Sequence, residues 1–197
     1  MHIPINKPFV LASASMRRQH LLRQIGISFE ISVSEFDEVF DPMKSPENNV
    51  ESLAIQKAVV VAARYANAIV LGADTTVVLD HQVLNKPNDR DDAIRMLRSL
   101  SGRRHTVVTG ISLVDRPSNL KTSAIERTSV SFRKLMDDEI EEYVDSGSPM
   151  DKAGAYGIQD DYGATFVEHI EGCFYNVIGL PIARFYQLLK EFQQQFD

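Results

Sequence analysis

Val10-Leu-Ala-Ser-Ala-Ser-Met-Arg-Arg-Gln-His-Leu-Leu22 is the stretch whose reading decides the fold. An apolar run ends, two serines and two arginines follow, and a helical pattern begins at once. This is a strand over Phe9 to Ala12 feeding a helix over Arg17 to Gln24 through a polar turn, the joint from which α/β proteins are built. Backbone N–H groups at a helix start have no partner within the helix, and the helix dipole favours negative charge there. Ser15 suits the N-cap, and Arg17 and Arg18 offer guanidinium forks that match phosphate oxygens. The stretch therefore reads as an anion site. The plainer alternative is a capped helix with two solvated arginines, although arginine in a first turn opposes the dipole.

Outward from this joint, Phe29 to Val33 alternates as a second strand, and an acidic loop with Glu35, Asp37, Glu38 and Asp41 follows. Ser45-Pro46 starts a helix that runs to about Tyr65, with Val50, Leu53, Ala54, Lys57, Ala58 and Val61 on one face. Lys57 is the odd member of that stripe, and an ordinary snorkelling lysine is the plain alternative to a ligand. Ala68 to Gly72 is wholly apolar, as a buried central strand should be, with Asp74 directly after it. Thr76 to Leu79 resumes a strand, and Lys86 stands before Pro87, which disfavours helix there. A helix follows from about Asp89 to Leu100, then two long strands, His105 to Val114 and Lys121 to Phe132. Asp137 to Val144 is helical, Thr165 to Ile170 is a strand, and Gly179-Leu-Pro181 opens a last amphipathic helix to about Phe192. Strands that alternate with helices early and pair in the middle imply an α/β (mixed α+β) fold. Its twisted mixed sheet is flanked by helices, in a single domain over residues 1–197. Ligands in such folds bind beyond the C-terminal ends of strands. Ser13–Arg18 and Asp74 both fall at such ends.

Composition narrows the function. The chain of 197 residues can bury a full core unaided. Its net charge of −6 argues against a nucleic-acid polymer or an anionic membrane as partner, so clustered cations carry information. One cysteine excludes an internal disulfide framework and a cysteine-rich zinc site. No apolar run is long enough to span a membrane and the N-terminus has no apolar signal core, so a soluble cytoplasmic protein is expected. His105 and His169 flank strands and read as structural or surface residues. Asp74 is the most pointed group: a carboxylate at the end of a buried strand can hold a divalent metal or act as general base on water. A turn-capping Asp is the alternative. Glu38 could share a metal with it. Serines, arginines and lysines around an acid suit attack of water on a phosphoanhydride.

With these residues in view, the chain resembles the Maf family of nucleotide pyrophosphatases, and within it the branch acting on dTTP and UTP. The resemblance runs nearly end to end. It rests on Leu11-Ala-Ser-Ala-Ser-Met-Arg-Arg18 with Leu21-Leu22, on Gly72-Ala-Asp-Thr75, on Lys86-Pro87, on Asp151-Lys-Ala-Gly-Ala-Tyr-Gly-Ile-Gln159 and on Val177-Ile-Gly-Leu-Pro181. It implies cleavage of a nucleoside triphosphate to the monophosphate and pyrophosphate, with magnesium or manganese. It also implies a cleft between two lobes and, in many members, a homodimer. Asp74 matches the proton acceptor for water. Ser13, Arg18, Lys57 and Lys86 match phosphate contacts, and Ser15 and Lys152 fall in the same substrate-binding motifs. Glu38 and Asp74 match acids that help hold the metal. Arg17, Thr75 and Gln159 match base-selecting positions, and an amide at Gln159 can pair with a pyrimidine edge. These three positions follow the dTTP/UTP pattern rather than that of 7-methyl-GTP pyrophosphatases. A nucleotide-binding regulator of cell division and septum formation is the alternative from another class, but a pure binder has no need of an acid facing triphosphate. Met16 stands where the family usually has proline, which implies a slightly looser loop and the same reaction.

Overall fold

A computed structural model of the chain describes residues 5–36, 38–159 and 162–195. Met1–Pro4, which the N-terminal reading used, and Asp37 of the acidic loop lie outside the described residues. In chain order the elements are β1 (Phe9–Leu11), α1 (Met16–Gln24), β2 (Glu30–Ile31), α2 (Pro46–Ala62), β3 (Ala68–Leu79), β4 (Gln82–Leu84), α3 (Arg90–Leu100), β5 (Arg104–Arg116), β6 (Lys121–Phe132), α4 (Asp137–Asp145), β7 (Val167–Glu171), α5 (Phe174–Ile178) and α6 (Ile182–Gln193). Short 3-10 turns occupy Ser148–Asp151, Ala153–Ala155 and Tyr162–Phe166. The strands form one mixed sheet in the order β2-β1-β3-β5-β6-β7, with β4 on β3. β1 pairs in parallel with β2 and β3, while β3–β4 and β6–β7 are antiparallel. The mixed α/β class expected from the sequence is the one observed.

Two compact units make up the chain, and three long strands pass from one to the other along their length. Unit 1 is Met1–Asp74, Thr109–Glu126 and Gly179–Asp197. In it, α2 lays Ala58, Val61 and Ala62 against Val10, Ala12, Ala68, Val70 and Val114. The C-terminal helix α6 buries Phe185, Leu188, Leu189 and Phe192, with the Phe185 ring edge-on to Phe9. Gly72 and Gly110 lie directly under α2. A Cβ at Gly72 would overlap the Ala54 carbonyl oxygen and stand 2.8 Å from the Ala58 nitrogen, and one at Gly110 would stand 2.5 Å from the Val50 oxygen. The helix therefore rests on sheet backbone, closer than side chains would allow.

Unit 2 is Thr75–Val108 and Arg127–Ile178. Its centre is an edge-to-face aromatic cluster of His105, Phe132, Tyr156, Phe166 and Tyr143. Helix α3 is capped by Asp89, whose side chain accepts from the Asp92 N–H.

Two expectations change. Asp74 does not end a strand: Ala68–Leu79 is continuous, and the polar run Asp74-Thr-Thr76 lies inside it. Backbone pairing does not depend on side-chain polarity, so a break in an apolar run need not break a strand. The register with β1 stops at Leu11↔Leu71, and that with β4 starts at Val77↔Leu84. Asp74 thus lies beyond the end of β1 although it is mid-strand in β3. The second strand is also shorter than expected, two residues instead of five.

Candidate active site

The polar turn after β1 is built as its sequence implies. The Ser15 side chain caps α1 by accepting from the Arg18 N–H at 3.4 Å, and Met16 is the exposed first residue of the helix. Ser13 Oγ accepts from the Ser15 N–H at 3.2 Å and from Arg18 Nη1 at 3.1 Å. The Arg18 Nε donates to the Gly179 carbonyl at 2.8 Å. This gives the Val177–Pro181 motif a role that its sequence did not disclose: its backbone orients an arginine. Gln19, buried in the first turn of α1, donates to the Ala14 carbonyl and steadies the same turn. Burial holds Arg18 below the ordinary arginine range, opposed by the charge of Asp74 and, more weakly, Glu38, while Arg17 adds to the lowering. The guanidinium therefore sits in the field of both acids.

Lys57 does not snorkel. Its side chain is 8% exposed, and its Nζ stands 2.6 Å from Asp74 Oδ1 and 2.8 Å from Glu38 Oε2. Asp74 is 15% exposed and Glu38 49%, so the cation and Asp74 are set into the protein while Glu38 reaches in from solvent. Asn49 supports the loop that carries Glu38. It is buried on the Lys57 stripe of α2, one and two turns from Leu53 and Lys57, and bonds Asp41 through both amide atoms, with Lys44 O and Ser45 O as further acceptors. Sequence reading missed it, although a polar residue four and eight positions from Leu53 and Lys57 was the available signal. Unit 1 thus gathers Ser13, Ser15, Arg18, Glu38, Lys57 and Asp74.

Arg17, half-buried in the first turn of α1, is also in unit 1, and the remaining site residues belong to unit 2. Strand alternation sends the Thr75 side chain to the face opposite Asp74. Lys86 is exposed after β4, next to Asn85, whose Oδ1 accepts from Thr76 Oγ1 at 2.9 Å and whose carbonyl accepts from the Gly154 N–H. Lys152 is buried and donates to the Ser148 carbonyl at 2.5 Å and to Asp151 at 2.8 Å. Gln159 is half-buried at the end of the segment that Lys152 begins. His105, read as structural, is a core residue in the aromatic cluster.

Among the described residues no group of three or more His, Cys, Asp or Glu side chains is placed to hold a metal. The donor set of Glu38 and Asp74 nevertheless suits magnesium or manganese. Such ions take one or two carboxylates and complete their shell with water and substrate phosphate oxygens. Both carboxylates already meet at one cationic point, the Lys57 ammonium.

Residues 8–192 match the family described as Maf-like protein. A dTTP/UTP pyrophosphatase of Symbiobacterium thermophilum is 51% identical over 183 residues, 93% of each chain. One of Acetivibrio thermocellus is 50% identical over 190 residues, 93% of this chain and 94% of its own. One of Salinibacter ruber is 48% identical over 188 residues, 95% of this chain and 92% of its own.

Proposed function

The chain belongs to the Maf-like protein family, and from that premise we propose that it is a nucleoside triphosphate pyrophosphatase hydrolysing dTTP and UTP to the monophosphate and pyrophosphate. The observation that carries the mechanism is the Lys57 ammonium held between Asp74 and Glu38 in the field of Arg18. A binding protein for a polyanion gains nothing from two carboxylates there unless they hold a metal, whereas a hydrolase also needs an acceptor for the proton of water.

In this mechanism Asp74 takes a proton from the attacking water as its oxygen bonds to phosphorus. The anhydride bond between the α- and β-phosphates breaks, and its electron pair leaves on the bridging oxygen. Lys57 fixes the orientation of the Asp74 carboxylate. Arg18, itself oriented by Ser13 and Gly179, faces the charge that grows on the phosphate oxygens. Ser13, Ser15, Lys57 and Lys86 complete the phosphate contacts. Glu38 and Asp74 would hold a magnesium or manganese ion, which when bound neutralises phosphate charge. Arg17, Thr75 and Gln159 select the base, and Lys152 serves substrate binding through the segment that ends in Gln159. No helix among the described residues is long and apolar enough to cross a membrane, and we place the enzyme in the cytoplasm.

Hydrolysis of a panel of nucleoside triphosphates with magnesium or manganese tests the reading. dTTP and UTP should turn over faster than any purine substrate, with pyrophosphate rather than orthophosphate released. Asp74→Asn should lower kcat by about 10²–10⁴-fold. Equal activity in wild type and variant would remove Asp74 from the role of base.

A further inference from the structure

The segment 152–159 carries Gln159, and it is tied to the rest of unit 2 at successive points. Lys152 begins it, with its ammonium on the Ser148 carbonyl and Asp151. The Tyr156 hydroxyl is 2.9 Å from His105 Nε2. One residue on, the buried Gly157 N–H donates to the Tyr143 hydroxyl at 3.2 Å. Tyr143 projects from α4, is 2% exposed, and stacks edge-to-face on Phe166 at 5.1 Å.

The hydroxyl is closely packed from the side of Gly163. A Cβ at Gly163 would stand 2.7 Å from the Tyr143 hydroxyl and 2.8 Å from the Gly157 carbonyl oxygen. A Cβ at Gly157 would stand 2.8 Å from Lys152 Cε. Backbone on both chain sides of Gln159 is therefore packed onto one phenol oxygen, and one side is hydrogen-bonded to it. Tyr143 is a helix residue in the unit core, outside the sequence motifs that the resemblance rests on.

We propose that Tyr143 is a specificity-positioning residue, whose hydroxyl fixes the Gly157 backbone and through it the amide of Gln159 that reads the nucleobase. The inference rests on the reading of Gln159 as a base-selecting residue. Without the hydroxyl, the buried Gly157 N–H loses its acceptor and moves to find another, and the Gln159 amide moves with it. The phosphate contacts in unit 1 do not depend on that bond, so the chemical step keeps its rate.

Steady-state kinetics on dTTP, UTP, CTP and GTP for wild type, Tyr143→Phe, Gln159→Ala and the double variant provide the test. Tyr143→Phe should raise KM for dTTP and UTP about tenfold, leave kcat within about twofold, and lower the preference for dTTP over CTP by about tenfold. In the Gln159→Ala background the same substitution should change the preference by less than about twofold, because the two act through one contact. A Tyr143→Phe enzyme with wild-type preference, or with kcat lowered equally on every substrate, overturns the proposal. Gln159→Ala with unchanged base preference overturns the reading of Gln159 itself, a distinguishable failure. If Tyr143→Phe does not fold, Gly163→Ala displaces the same hydroxyl from the Gly157 side, and the same shift in preference is required of it.

Discussion

Gln159 carries an amide NH2 donor and an amide oxygen acceptor, and the pairing edge of thymine or uracil sets its ring N–H beside the C4 carbonyl. Cytosine has no such N–H and presents an amino group in place of the carbonyl. Gln159→Glu would put two acceptors where the site now has one of each. It should lower kcat/KM for dTTP and UTP by about tenfold or more relative to CTP, since a mismatched bidentate edge costs about 1–3 kcal/mol, while kcat falls less. Competition kinetics with mixed substrates checks this, and a fall in rate with unchanged preference would count against Gln159 as the reader of the base. Not every residue disclosed this much from the sequence. Asp74 was legible because a lone acid after an apolar run is rare. Lys57 was ambiguous, since a lysine on an apolar stripe either snorkels or is paired. The ambiguity ended only with its two acids, which lie 17 and 19 positions away along the chain and meet it in unit 1. Gly179 was illegible, because the group that acts is its carbonyl, which every residue possesses.

At the scale of elements, periodicity located α2, α3, α4 and α6 and the long strands, with ends close to those observed. It overlooked α5, five residues long, and the 3-10 turns, all too short for a period to register. It also split β3 at Asp74, because polarity and backbone pairing are separate properties. Glycine inside β3 and β5 marks close approach rather than weakness. Gly72→Ala should therefore destabilise the protein by about 1–3 kcal/mol through overpacking against Ala54 and Ala58. It should also depress kcat, because lifting α2 moves Lys57 away from Asp74. Urea unfolding and single-turnover rates measure the two effects. A variant with normal stability and normal rate would show that the helix does not rest on Gly72 as described.

For the whole molecule, stability should depend on pH through a core histidine of unit 2. Burial lowers the His105 pKa from 6.5 to about 4. The folded chain therefore resists a proton that the unfolded chain accepts. The stabilisation is complete above pH 6.5 and is lost as pH falls toward 4, on the order of 3 kcal/mol in all. Urea unfolding at pH 7.5 and pH 4.5 should show the loss in wild type and a flatter profile in His105→Gln, whose amide can still meet the Tyr156 hydroxyl. Equal pH slopes in the two proteins would place the acid sensitivity elsewhere. The contact of α2 with Gly72 and Gly110 has a consequence of a different kind. At Gly72 and Gly110 no strand side chain stands between that helix and the sheet, so at these two points the spacer is made of peptide groups, whose dimensions are the same for every residue. Exchange of aliphatic residues elsewhere in the core leaves these two backbone contacts in place. The gauge of the Lys57–Asp74 pair is, at those points, inherited with the backbone itself.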